Sequence, residues 1–333
     1  MRSVLLLKTF LLLILPIKSL LLITKIIRSS RNHQFALFCL VLLAVFHRPL
    51  QELIFFSFSS DLFFYILLVP FVSIYFLYIR KKKIFSDISY SYISGSLIIL
   101  VGFILFIIAR KWQIRLTSNN YLAMTTFSVL MTWIGGFVFF YGILTFRKAL
   151  FPILFLSLMI PIPNGLLEQL ILILQKASAV TADWMFKITG LPVERDGFVF
   201  SLSKLQIEVA KQCSGIRSSL YLFMTSLVLG YLYLKSYTGR AILTLSVVPV
   251  TIFKNGLRIV TLSLLGNYVH EHILSSTFHR QGGIPLMIFA VILLSVILKW
   301  LMKSEKLAIL NNETGLKGEK LSKGGDAFPV DIQ

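Results

Sequence analysis

Residues 92–109 read YISGSLIILVGFILFIIA and contain no charged side chain. A helix of about 20 mainly apolar residues is long enough to cross the hydrocarbon core of a bilayer. Lipid offers no partner for backbone polar groups, so only helices and closed barrels can span it. Barrel strands alternate apolar and polar residues, whereas this stretch is apolar on all sides. Residues 92–109 therefore predict a transmembrane helix.

About eight segments meet or approach the length and apolar character of a spanning helix, and they predict an all-α fold, a polytopic membrane helix bundle. They cover residues 34–50, 61–79, 92–109, 121–145, 148–163, 213–235, 240–266 and 284–302. The N-terminal apolar segment at 4–24 is either a ninth span or a helix lying in the interface. It lacks an A-x-A-like cleavage site, so we do not interpret it as a removable signal peptide.

The composition agrees with a membrane protein. Hydrophobic residues make up 56% of the chain and charged residues only 14%, whereas soluble domains carry about 25% charged residues. Lys and Arg number 33 against 14 acidic residues, which gives a net charge of +19. These cations lie in short clusters between apolar runs, where they orient the spans and contact anionic lipid. We therefore expect membrane lipid as a partner and no nucleic acid.

Basic clusters between the spans predict which side faces the cytoplasm. Most of them fall on one side when the eight spans alternate, at Arg28 and Arg31, Arg80–Lys83, Arg147 and Lys148, and Lys235 and Arg240. The side rich in Lys and Arg is normally cytoplasmic. One loop does not follow this pattern, because Arg110, Lys111 and Arg115 fall on the other side. The prediction is a multi-pass protein of the bacterial inner membrane, with the 164–212 region at the outer, periplasmic face.

Cys213 is the first candidate for chemistry. It lies in the stretch IEVAKQCSGIR at 207–217, at the start of a predicted spanning helix. A thiol at a helix N-terminus beside a cation is shifted toward the nucleophilic thiolate. The alternative is that Cys213 is an inert small apolar residue, which is also our interpretation of Cys39. With only these two cysteines, neither a disulfide framework nor a zinc site is expected, and we expect no metal and no cofactor.

Asn255 and Arg258 form the second candidate, in the run FKNGLR at 253–258. Residues three apart share one face of a helix. Placing an arginine at the centre of a membrane helix costs about 2.5–3.5 kcal/mol, so such a residue is a functional candidate. In the alternative, Arg258 extends to the lipid headgroups and Asn255 only bonds a neighbouring helix. Lys254 is expected to pack or to extend to the headgroups.

His279 is the third candidate, because it precedes Arg280, two glycines and the last predicted span. An unperturbed imidazole has a pKa of about 6.5, so a histidine at the outer surface suits proton transfer. His270 and His272 flank Glu271, but this H-E-H spacing does not supply the geometry of a zinc protease helix.

Taken in order, these motifs resemble the exosortase/archaeosortase family of membrane-embedded sorting transpeptidases. The matching residues are Cys-Ser-Gly-x-Arg at 213–217, Asn-Gly-Leu-Arg at 255–258, and His279 followed by Gly283, preceded by Ile160–Pro163, Gln175, Gly190–Val193, Gly197 and Glu208–Ala210. Histidine at the third position is more similar to bacterial exosortases than to archaeosortases. The resemblance covers residues 148–300.

The resemblance implies a cysteine transpeptidase or peptidase with Cys213, Arg258 and His279 as catalytic residues. Supporting residues would be Asn255, Gly215, Arg217 and Glu208. The implied partners are exported proteins whose C-terminal tail has a short motif, often Pro-Glu-Pro, then a transmembrane helix and a basic cluster. Cys213 would form a thioester acyl-enzyme that an acceptor nucleophile resolves.

Three regions follow from this interpretation. Residues 1–147 form N-terminal membrane helices specific to the subtype, and 148–302 form the catalytic membrane core with its extracytoplasmic cap at 164–212. Residues 303–333 are expected to be a disordered cytoplasmic tail. Two other functions stay open: a transporter with Asn255 and Arg258 along its path, and a non-catalytic scaffold of an export or polysaccharide system.

Overall fold

The computed structural model describes residues 31–190, 192–202, 206–268 and 283–323. These residues are mainly α-helical, which confirms the predicted polytopic helix bundle. Contacts within the chain define two compact units that divide between Leu166 and Leu167. The predicted boundary at 147/148 came from the sequence resemblance and stays a prediction.

The first unit consists of short and long helices. They are α1 (Arg31–Val45), α2 (His47–Ser59), α3 (Val69–Ile79), α4 (Lys81–Ile84), α5 (Tyr92–Trp112), α6 (Ser118–Tyr141), α7 (Ile143–Lys148) and α8 (Leu150–Phe155), with 3₁₀ turns at Phe64–Leu67 and Leu156–Met159. Helices α5 and α6 pack closely because glycines line their contact. A Cβ atom added to Gly102 would lie 2.5 Å from Thr132 Oγ1, and one added to Gly135 would lie 2.6 Å from Ile99 N. Small residues at such contacts let helix backbones approach in a membrane.

The second unit contains the long helices that follow and one small sheet. Its elements are α9 (Asn164–Thr189, whose first residues belong to the first unit), β1 (Glu194–Asp196), β2 (Val199–Ser201), β3 (Gln206–Glu208), a 3₁₀ turn (Lys211–Ser214), α10 (Ile216–Tyr233), α11 (Tyr237–Leu245), α12 (Val247–Tyr268) and α13 (Gly283–Lys323). The strands are antiparallel in the order β1-β2-β3, with Glu194 opposite Ser201 and Val199 opposite Glu208. Sequence reasoning predicted no strands here, because three-residue strands are too short for a period-2 pattern.

A buried apolar cluster attaches the sheet to α9 and α12. It contains Ala179, Ala182 and Phe186 of α9, Phe200 of β2, Val209, and Ile259 and Val260 of α12. The amide of Val209 also donates to the carbonyl oxygen of Phe198 at 2.9 Å. The segment that leads into Cys213 is therefore held by both packing and backbone hydrogen bonds.

Four of the described helices are long and apolar enough to cross a membrane. They are Tyr92–Trp112, Ser118–Tyr141, Tyr237–Tyr268, which joins α11 and α12, and Gly283–Ala308 within α13. The number rises to six if each of two bent pairs is one span: α1 with α2, bent by 73°, and Leu150–Met159 with Asn164–Thr189. The predicted span 34–50 thus breaks where α1 ends, and 61–79 becomes the shorter apolar helix Phe64–Ile79. Segment 4–24 lies outside the described residues.

Helix α13 continues to Lys323, past the point at which a disordered tail was predicted to begin. Lys, Glu, Leu and Ala, which favour helix, dominate the residues after Lys303, and no proline interrupts them before Lys323. The carboxylate of Glu305 also accepts hydrogen bonds from the backbone amides of Lys235 and Ser236, at 2.9 and 3.0 Å. Residues 303–323 are therefore helical in this structure, and the predicted division with a disordered cytoplasmic tail stays a prediction.

Candidate active site

Cys213 lies in the 3₁₀ turn Lys211–Ser214, directly before α10. Gly215 caps the end of this turn with a left-handed backbone, φ +79° and ψ 8°, and α10 begins at Ile216. Glycine alone adopts this conformation without steric cost, which explains a glycine two residues after the cysteine. The predicted placement of Cys213 at a helix start agrees with this backbone. Its side chain lies outside the described part of the structure.

Three donors converge on the carbonyl oxygen of Gly215. The hydroxyls of Ser218 and Ser219 donate to it at 2.9 and 3.0 Å, and the backbone amide of Ser219 donates at 3.0 Å. All three donors belong to the first turn of α10. They therefore fix the carbonyl group of the residue that caps the Cys213 turn. The Ser-Ser pair that follows Arg217 thus has a role that sequence reasoning did not identify.

Helix α12 lies against the same turn. A Cβ atom added to Gly215 would lie 3.2 Å from both Cγ and Oδ1 of Asn255, which is fully buried. Arg258 follows three residues later on α12 and is half-buried. The structure therefore brings the backbone next to Cys213 together with the Asn255 end of the predicted Asn255–Arg258 pair.

Lys254, immediately before Asn255, is also buried, with 5% of its surface exposed. Its ammonium donates to the hydroxyl of Ser218 on α10. Of the two expectations for Lys254, packing inside the protein agrees with this burial and extension to the headgroups does not, and the bond to Ser218 gives the ammonium a polar partner. The lysine and Arg258 are one turn apart on α12, so two positive charges lie on the helix that contacts the turn of Cys213.

Helix α9 contacts both the segment that precedes the turn and helix α12. The buried amide of Gln175 donates to the carbonyl oxygen of Val209, four residues before Cys213. Gly256 of α12 faces α9, where an added Cβ atom would lie 2.9 Å from Thr181 Cγ2. The sequence analysis named Gln175 and Gly256 only as residues that carry the family resemblance. It did not predict what either residue contacts.

The other predicted site residues divide between exposed and undescribed positions. Glu208 is exposed on β3, opposite Val199, and Arg217 is exposed in the first turn of α10. Their supporting roles stay predictions. His279, together with His270 and His272, lies outside the described residues. Within the ranges that the structure describes, no group of three or more His, Cys, Asp or Glu residues could hold a metal ion.

Comparison with known protein families identifies the family of this chain. The family model described as transmembrane exosortase matches residues 57–298. The chain belongs to the transmembrane exosortase family. The exosortase match begins well before residue 148, so the family relationship also takes in helices of the first unit, where sequence reasoning found no motif. No curated protein and no solved structure matches the chain.

Proposed function

We propose that this exosortase is a cysteine transpeptidase that cleaves exported proteins near a C-terminal sorting tail, with Cys213 as its nucleophile. The contact between Gly215 and Asn255 is the observation that carries the proposal. It holds the backbone beside Cys213 against the helix that bears Arg258, as expected if thiol and guanidinium serve one reaction. Family membership supports the same interpretation.

In the proposed reaction, the Cys213 thiol gives its proton to a base, and the thiolate attacks the carbonyl carbon of the scissile peptide. The tetrahedral intermediate then collapses, the C–N bond breaks, and the departing amine takes up the proton. The substrate is left as a thioester on Cys213. An acceptor nucleophile attacks this thioester and releases the free thiol.

We assign stabilisation of the oxyanion to Arg258 and proton transfer to His279. A guanidinium keeps its charge at any physiological pH, so it suits electrostatic stabilisation better than proton donation. An imidazole exchanges protons near neutrality and suits both deprotonation of the thiol and protonation of the amine. The positive end of the α10 dipole, together with Lys254, adds to a field that favours a thiolate in the turn.

The proposed location of the site is the outer face of the bacterial inner membrane. The clusters Arg80–Lys83 and Arg147 with Lys148 support this orientation, because short loops rich in Lys and Arg stay cytoplasmic. The proposed substrates are exported proteins with a short motif, an apolar helix and basic residues at the C-terminus. Their tails would present the motif at the membrane surface on the side of the turn.

A reporter protein fused to such a Pro-Glu-Pro tail tests the proposal when it is co-expressed with the exosortase. Cys213→Ala should abolish removal of the tail, measured by the mass of the recovered reporter, and Cys39→Ala should leave removal intact. Unchanged processing by Cys213→Ala would contradict the enzyme proposal and favour a non-catalytic scaffold.

A further inference from the structure

Lys254 is a long cationic side chain that ends inside the protein, with 5% of its surface exposed. Lysines near a membrane surface normally extend their ammonium to water or headgroups. Burial of a charge is costly unless hydrogen bonds compensate for the lost water. Here the ammonium donates to the Ser218 hydroxyl of the neighbouring helix. The burial of Lys254 therefore depends on its hydrogen bond to Ser218.

The bond from Lys254 continues to the turn that bears Cys213. An ammonium only donates, so the Ser218 oxygen accepts from Lys254 and its own proton is left for another acceptor. That acceptor is the carbonyl oxygen of Gly215, at 2.9 Å. The chain of hydrogen bonds therefore runs from α12 through Ser218 to the residue that ends the turn.

Asn255 contacts the same residue from the next position along α12. Its Cγ and Oδ1 lie 3.2 Å from where a Gly215 Cβ would be. Two consecutive residues of α12 thus hold the end of the turn, one through a hydrogen-bond chain and the other by direct packing. Because Arg258 is on the same rigid helix, these two contacts also set the distance between the turn and Arg258.

We propose that Lys254 is a positioning residue for the reaction. It acts through Ser218 to keep the turn of Cys213 at a fixed distance from Arg258. The inference rests on the proposed role of Cys213 as the nucleophile. It goes beyond the motif residues, since neither Lys254 nor Ser218 was among the predicted site residues. A displacement of about 1 Å between reacting groups can lower a rate by about a hundredfold, so a positioning contact of this kind matters to turnover.

The test uses the full-length protein in detergent micelles with the tailed reporter as substrate. Lys254→Met removes the ammonium and keeps the length of the side chain, while Ser218→Ala removes the hydroxyl. Each should lower kcat by about 10- to 100-fold and leave KM within about twofold, because the contact orders reacting groups without binding the tail. Ser218→Thr keeps the hydroxyl and should keep most of the activity. Lys176→Met, at an exposed lysine of α9, is the matched control and should not change either constant.

The double variant Lys254→Met with Ser218→Ala tests whether the two residues act on kcat through the same contact. If they do, it should lose no more kcat than the more impaired single variant, since interacting residues are non-additive. Losses that multiply, or an unchanged kcat in Lys254→Met, would overturn the proposal. Should Lys254→Met fail to accumulate in the membrane, the kcat of Ser218→Ala decides alone, and a normal value overturns it.

Cys213→Ala separates this inference from the proposed function. If Cys213→Ala still processes the reporter, the proposed function fails whatever the lysine does. If Cys213→Ala is inactive and Lys254→Met has normal kinetics, only the positioning role fails.

Discussion

The buried side chain of Asn255 lies against Gly215, so close that a Cβ atom on the glycine would come within 3.2 Å of Asn255 Cγ and Oδ1. The two residues are far apart in sequence and belong to different motifs. Their contact joins the cysteine motif to the arginine motif.

Gly215→Ala should remove most processing activity. The substitution places a side chain at a φ of +79°, which costs about 1–2 kcal/mol, and also pushes the turn away from Asn255. The measurement is the rate of reporter processing per folded molecule. Gly197→Ala is the matched control, because Gly197 also has a positive φ, of +58°, but no atom within 4 Å of an added Cβ. Equal losses in both variants would show that backbone strain, and not the contact with Asn255, is responsible.

Arg258→Gln and His279→Ala should each abolish processing, because they remove the proposed oxyanion partner and the proposed base. The expected loss is at least about a hundredfold for each. His270→Ala, at a histidine without a proposed role, should retain activity in the same assay. Wild-type rates in Arg258→Gln would exclude its role in the reaction, and wild-type rates in His279→Ala would do the same for the histidine.

Gly256→Ala should destabilise the second unit by about 1–3 kcal/mol, because overpacking forces neighbouring atoms to move. The added Cβ would lie 2.9 Å from Thr181 Cγ2 and 3.1 Å from Thr181 Cβ. Thermal unfolding in detergent measures the effect. Adding Thr181→Ala removes the Cγ2 atom and should recover part of the lost stability. Gly165→Ala has open space around the added Cβ and should be neutral. If the second substitution recovers nothing, the contact between α9 and α12 is not the cause.

Glu305→Ala should lower the unfolding temperature without lowering kcat. Its carboxylate accepts bonds from the amides of Lys235 and Ser236 and from the Ser236 hydroxyl, at the turn between α10 and α11. A hydrogen bond to a charged group contributes a net 1.5–3 kcal/mol, roughly, and less where the group is partly exposed, as Glu305 is, so we expect a total loss of about 1–2 kcal/mol. Lys303→Ala, at an exposed position of the same helix, is the control. An unchanged unfolding temperature in Glu305→Ala would mean that α13 is not attached to this turn.

Much of the molecule could be predicted from local sequence. Apolar runs such as 92–109 predict helices wherever they occur, because lipid forces the backbone to satisfy its own hydrogen bonds. The position of Cys213 before a helix was also predictable, since Gly215 follows it and an apolar run begins there. The strands at 194–208 and the helical continuation past Lys303 were missed, because short strands and polar helices depend on partners such as Phe186 and Ser236 that are distant in sequence.

The order of the cysteine, arginine and histidine motifs and the apolar character of the spans were determined by the sequence itself, and they were enough to predict a membrane helix bundle and its family. Only the tertiary structure decided what each residue of the Lys254–Gly256 run contacts: Ser218, Gly215 and Thr181 in turn. The reason is physical. Helix formation in lipid depends on local composition. The contacts of a buried ammonium or of a glycine depend on which helix, distant in sequence, packs against it.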